Sequence, residues 1–245
     1  MSRTLSAIGA VVLFAYAGMA HAAVVIAGTR VVFPAQARDV SLKVENKGTE
    51  PALVQAWIDD GDEASSPSTA RAPFAITPPV FRIDPGHAHT LRIVHVGDGK
   101  PKEREALYWL NVLEIPPKPA EAESGNLLQF AFRHRLKLFH RPKGLSTAPE
   151  RAASDLRWSV ERDGGKMRLR VDNPSPYHVS FQAVGLSPGG KGDAARDLGG
   201  GMVGPGASTR FSLPDAAGDI REGKVGFVTI NDFGAAIPGS AAIAP

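Results

Sequence analysis

From Val40 to Asp232, apolar side chains recur at every second position, in short runs that stop at Gly, Pro, Asn or Asp. Successive side chains of an extended strand point to opposite faces, so this period buries one face of a sheet, and no segment keeps a helical period beyond a few turns. VSLKVEN (40–46) puts Val40, Leu42 and Val44 on one side before turning through Lys47-Gly48-Thr49-Glu50. ALVQAWI (52–58), RAPFAITP (71–78), HTLRIVHV (89–96) and ALYWLNVLEI (106–115) follow the same rule.

A second series begins after Lys143-Gly144: LRWSVER (156–162), KMRLRVDN (166–173), YHVSFQAVGL (177–186), ASTRFSL (207–213) and KVGFVTIND (224–232). Turn-rich pieces separate them, among them Asn173-Pro174-Ser175-Pro176 and GGGMVGPG. Short strands between turn signals predict an all-β chain of two β-sandwiches, with RPKGLSTAPERAAS as the hinge. The expected division is a leader at 1–22, an N-terminal domain at 23–142 and a C-terminal domain at 143–245.

The leader rests on Arg3, the apolar stretch from Leu5 to Ala17 and the small-residue site Ala20-His21-Ala22. That is the build of a secretory signal peptide cut after Ala22, too short for a stop-transfer span. Removing it takes Arg3 from the 28 basic residues and nothing from the 25 acidic ones, leaving a formal +2. So small a charge gives no bulk attraction to nucleic acid or to a membrane, and no other segment is apolar enough to span one. There is no Cys, which excludes thiolate catalysis, thiolate metal sites and disulfides, so an exported chain of this kind depends on buried cores.

One strand poses a question. In NLLQFAFRHRLKLFHRP (126–142), Leu128, Phe130, Phe132, Leu136 and Leu138 share one side, interrupted by His134; Gln129, Ala131, Arg133, Arg135, Lys137, Phe139 and Arg141 share the other. Periodicity alone assigns the apolar side to the protein's own core. The basic residues suggest a phosphate stripe, but Phe130 and Phe132 face away from Arg133, Arg135 and Lys137, which defeats a combined stacking and charge groove.

Other chemistry is thin. His87 and His89 share one side of an extended segment, with His95 further on, and would be the residues of a metal-dependent or carbohydrate-active sandwich enzyme. No third ligand is identifiable, and solvated strand-end histidines are the simpler reading. Asp59-Asp60-Gly61-Asp62-Glu63 lacks the spacing of a calcium loop and reads as a polar turn. There is no G-x-S-x-G elbow, P-loop or G-x-G-x-x-G, so neither a catalytic residue nor a cofactor is expected.

The segments GTRVVFPAQARDVSLKVEN, TPPVFRIDPGHAHTLRI, EREALYWLNVLEIPPKP, LQFAFRHRLKLFHRPKGL, VDNPSPYHVSFQAV, GMVGPG and VTINDFGA together resemble the periplasmic pilus-assembly chaperones of the usher pathway. They follow that family's order across nearly the whole chain after the leader, and YWLNVLEIPP is the most specific. The resemblance implies two immunoglobulin-like sandwiches in a boomerang arrangement and no enzymatic activity. It implies pilin subunits and an outer-membrane usher as partners and a periplasmic location; an exposed strand edge of this kind also leaves open a self-capping dimer of the free protein.

By the same resemblance, Arg30 and Lys137 grip the subunit's C-terminal carboxylate, while Leu128, Phe130 and Phe132 fill a groove in a subunit lacking its last strand. The strand doing so is expected at 126–138, with Leu136 and Leu138 turned into the chaperone. Glu105, Arg141 and Asp232 match an interdomain charge network, against the plainer reading of Arg141 as a solvated strand-end cation. The short link PPKPAEAESGN is similar to the short-loop branch that builds rod-like pili.

Overall fold

The computed structural model describes residues 24–97, 99, 103–117, 129–163, 166–188, 196–213 and 223–244. The expected leader, Leu128 and most of the 116–126 link lie outside these residues.

The first series of runs forms β1 (Val24–Ile26), β2 (Arg30–Pro34), β3 (Asp39–Asn46), β4 (Ala52–Asp59), β5 (Phe74–Thr77), β6 (Val80–Ile83), β7 (Ala88–His95), β8 (Ala106–Ile115) and β9 (Phe132–Arg141). They build a four-stranded sheet, β1-β3-β7-β5, and a five-stranded sheet, β2-β9-β8-β4-β6. Alternation works as expected: Leu42, Val44, Val54, Leu91, Ile93, Leu110, Val112 and Leu138 meet in one core.

From β1 in one sheet the chain crosses to β2 in the other through Ala27–Thr29, where Gly28 takes a φ of 122°, a backbone conformation that only glycine adopts freely. After the crossing, β2 runs parallel to β9, with Val31 and Phe33 buried in the core. Strand parity then leaves Arg30 and Val32 on the outer face of that sheet.

The second series forms β10 (Arg157–Asp163), β11 (Lys166–Asp172), β12 (Val179–Pro188), β13 (Arg196–Asp197), β14 (Gly201–Val203), β15 (Ser208–Ser212), β16 (Gly223–Ile230) and β17 (Ala236–Ala244). β17 pairs antiparallel with β16 and then parallel with β10, so one strand links both sides of this sandwich. A separate core fills it, centred on Trp158 with Phe181, Phe211 and Phe227 around the indole.

One strand departs from expectation. β9 spans Phe132–Arg141, not 126–138; residues 129–131 are outside it. Its antiparallel partner supplies the reason. Phe132 pairs with Glu114, one residue before β8 ends at Ile115, and Pro116-Pro117 follow with no backbone N–H to extend the ladder. At the other end Pro142 stops it.

Candidate functional site: the cleft and the open strand edge

Arg30 opens β2, and its register partner across the parallel pair is Lys137 of β9. Both side chains therefore leave the sheet on its outer face, toward the second sandwich. Arg30 Nη1 donates to the Ile230 carbonyl at 2.8 Å, and Lys137 Nζ donates to Ser180 Oγ at 3.0 Å. Arg30 Nε is buried without a hydrogen-bond partner, and its guanidinium lies 5.8 Å from the Phe139 ring centroid.

Two cations thus stand side by side, and among the described residues neither has a carboxylate within ion-pair distance. Burial lowers the pKa of Lys137, and the charge of Arg30 lowers it further. Burial also lowers Arg30, against the more distant pull of Asp232 and Glu105. Desolvated, unmatched positive charge is costly, and a bound anion relieves that cost. Arg supplies a forked donor set and Lys a compact charge, the combination suited to a carboxylate.

Four residues along β9, Arg141 takes a different role. Its Nε donates to Glu105 Oε1 at 2.6 Å, and its two terminal nitrogens donate to Asp232 at 2.5 and 2.8 Å. The other oxygen of Glu105 accepts from the His178 backbone N–H at 2.9 Å and lies 3.2 Å from His178 Nδ1. Burial opposes the charge of Arg141, but its hydrogen bonds to both carboxylates and their negative charge hold its pKa above the ordinary arginine value. The residues predicted as an interdomain network are in direct contact, and Arg141 is not a solvated strand end.

The opposite end of β9 is open. β2 covers β9 only from Lys137 to Arg141, while β8 pairs with it from Phe132 to His140. Among the described residues the segment Phe132–Leu136 therefore has one unpaired edge. Leu136 and Leu138 turn into the core at 6% and 0% exposure, but Phe130 and Phe132 continue the same side beyond it at 61% and 52%. A row of apolar side chains beside free backbone donors and acceptors is a template for another strand.

The outer face near this edge is rigidly tied. Asp59, fully buried, accepts from Asn111 Nδ2 at 2.6 Å, Ser65 Oγ at 2.9 Å and Arg135 Nη2 at 2.8 Å. Arg133 Nε donates to Asn111 Oδ1, and the two guanidiniums lie over Trp57 and Trp109 at 5.1 and 4.3 Å. The supposed basic stripe is thus partly spent on internal pairing. Asp59-Asp60-Gly61 does form a turn, Asp59 Oδ1 accepting from the Gly61 N–H, but its first carboxylate braces β4, β8 and β9 as well.

His87 and His89 are exposed; the His87 ring lies 3.0 Å from the Pro85 carbonyl, and His89 packs on Phe81. Among the described residues no three His, Cys, Asp or Glu side chains gather as a metal site. Asn173 and Asn231 act in turns: the Asn231 side chain accepts from Phe233 and Ala235 N–H groups, which fixes Asp232 where Arg141 meets it. Ser180, Ile230 and His178 had no sequence signal of their own. Each becomes a partner only because the second sandwich is folded against β2 and β9.

Residues 23–146 match the family described as "Pili and flagellar-assembly chaperone, PapD N-terminal domain", and residues 151–241 match "Pili assembly chaperone PapD, C-terminal domain". The probable fimbrial chaperone YadV of Escherichia coli K12 is 41% identical over 234 residues, 94% of this chain and 94% of that protein. Chaperone protein FimB/FhaD of Bordetella pertussis is 42% identical over 244 residues, 98% of this chain and 96% of that one. The crystal structure of YadV chaperone superposes with a TM-score of 0.76 at 40% identity, covering 90% of this chain and 100% of its own. The SafB chaperone of Salmonella enterica, solved with the SafA pilin, gives 0.71 at 29% identity, covering 90% of this chain and 96% of that one.

Proposed function

The chain belongs to the PapD family of pilus-assembly chaperones, and we propose that it captures a pilin subunit along the open edge of β9 while Arg30 and Lys137 hold the subunit's terminal carboxylate. The family is periplasmic and non-enzymatic, and this chain is a chaperone of pilus subunits with two immunoglobulin-like sandwiches.

The observation that carries the reading is the pair of half-buried cations, neither with a carboxylate of the described residues within ion-pair distance, at the end of an unpaired apolar edge. An incoming strand hydrogen bonds to Phe132–Leu136, lays its incomplete core against Phe130 and Phe132, and ends at the cations. Leu128 continues the apolar row on the sequence pattern alone. Backbone pairing sets direction, and the carboxylate sets register, since a slip of one residue would turn every apolar side chain to the wrong face. Arg141, Glu105 and Asp232 fix the angle between the sandwiches and hence the cleft. Subunit release then comes from exchange of one donor strand for another at an outer-membrane usher, with no nucleotide or cofactor consumed. Export by the leader and cleavage after Ala22 deliver the chain to the periplasm.

The test is Arg30→Ala and Lys137→Met, each co-expressed with a pilin subunit. Because burial, and then the charge of Arg30, lowers the folded pKa of Lys137, folding works against its charged form, and stability rises as pH climbs through the folded value toward the unfolded one. Lys137→Met is therefore expected to melt no lower than the parent while recovering no subunit. Normal subunit recovery from either variant refutes the anchor.

A further inference from the structure

Arg30 and Ser180, the residue to which Lys137 donates, stand in the wall of a cavity of about 230 Å³ between the sandwiches. Phe139, Tyr177, Val179, Ile230, Phe233 and Ile237 supply much of its lining, and Ser180 and Arg30 belong to it too. Phe233 and Ile237 remain 91% and 45% exposed at its rim among the described residues. The atoms that hold the cations, Ile230 O and Ser180 Oγ, are thus in residues that also shape the cavity.

We propose that this cavity takes the side chain of the subunit's last residue and selects a bulky apolar one, aromatic or leucine-sized. The inference rests on the carboxylate anchor described above. Charge complementarity brings the terminus here, because a carboxylate on Arg30 and Lys137 leaves its own residue at the cavity wall.

Volume and chemistry then choose the side chain. A cavity of about 150 Å³ lined by apolar side chains holds a benzene ring, so this one accommodates a phenylalanine ring or a leucine. Its polar groups are largely engaged with one another: Arg141 occupies both Asp232 oxygens, and Glu105 is shared between Arg141 and His178. A basic side chain would meet Arg30 in the cavity wall, and an acidic one would compete with the terminal carboxylate for it. An apolar side chain instead covers Phe233 and Ile237 and loses no hydrogen bond.

The test uses the full-length chaperone and fluorescent twelve-residue peptides of alternating apolar sequence, identical except for the last residue: Phe, Leu, Ser or Lys. A Phe-ended peptide with an amidated terminus is the control for the anchor. Anisotropy is expected to show Phe and Leu binding at least tenfold tighter than Ser and Lys, and amidation weakening the Phe peptide. Phe233→Ala, at a position 91% exposed where truncation is expected to cost little stability, and Ile237→Asp should shrink the Phe-to-Ser ratio without altering the acid-to-amide ratio. Equal binding of all four acids with a weaker amide overturns the selectivity and leaves the anchor standing. An amide that binds as well as the acid, or no binding by any peptide, overturns the anchor and the selectivity together. A Lys-ended peptide binding tightest would assign the cavity to Glu150, which also lines it, and end the apolar reading.

Discussion

Phe130, Phe132 and Leu136 lie on one side of one segment, yet truncating them should have opposite consequences. Full burial of a phenylalanine is worth about 1.5–3 kcal/mol, and slightly more than half of each ring is still exposed, so burial in a subunit groove contributes about 1–1.5 kcal/mol per ring. The double variant Phe130→Ala/Phe132→Ala then loses about 2–3 kcal/mol of binding, or about 30- to 150-fold in affinity. Its own folding stability should stay within about 0.5 kcal/mol of the parent, because neither ring belongs to a core. Leu136→Ala, at a site 6% exposed, should cost about 2–5 kcal/mol of stability through the cavity it leaves. Urea unfolding and titration of a strand-deficient pilin measure the two quantities separately. A double variant that unfolds readily, or one that binds the pilin as the parent does, refutes the division of this face between chaperone and subunit.

Two further perturbations probe the scaffold. Arg141→Ala leaves Glu105, 4% exposed, without its cation, and should cost about 3–5 kcal/mol and loosen the angle between sandwiches, read by urea unfolding and small-angle scattering. Burial raises the Asp59 carboxyl, but hydrogen bonds from Asn111, Gly61, Arg135 and Ser65 outweigh it and hold the pKa below the ordinary aspartate value. That stability is fully present above about pH 4, the unfolded value, and disappears as pH falls through the lower folded one. Asp59→Asn should therefore be less stable than the parent at neutral pH and show a flatter loss of stability below pH 4.

How much of this was readable from the residues follows from what each strand contains. β8 is bounded as its sequence predicts, Ala106 to Ile115, because it is a central strand paired on both edges, with β4 and β9, and Pro116 follows it. β17, AIPGSAAIA, carries glycine, proline and alanine in place of a period, and its strand state comes from pairing with β16 and β10. β1 is too short for a pattern, and the crossing at Gly28 that brings Arg30 beside Lys137 has no periodic signal. β9 began later than its apolar row because a row of side chains does not need a ladder, whereas a strand does, and Pro116 ends the ladder.

The site divides the same way. Arg30 with Lys137, and Glu105 with Arg141 and Asp232, came from resemblance and not from spacing, since 106 residues of chain lie between Arg30 and Lys137. Ser180, the Ile230 carbonyl and His178 could not be found at all, as each is chosen by how the second sandwich docks. Phe139 was placed correctly on the cation side of β9, but only docking explains why so apolar a residue is 2% exposed there.

Hydrogen exchange along β9, with and without a bound pilin, tests the central claim most directly. The account predicts new protection for backbone amides between Phe130 and Leu136, where the edge is open, and little change from Leu138 to Arg141, which β2 already covers. Unchanged exchange at the open edge in a stable complex would contradict it.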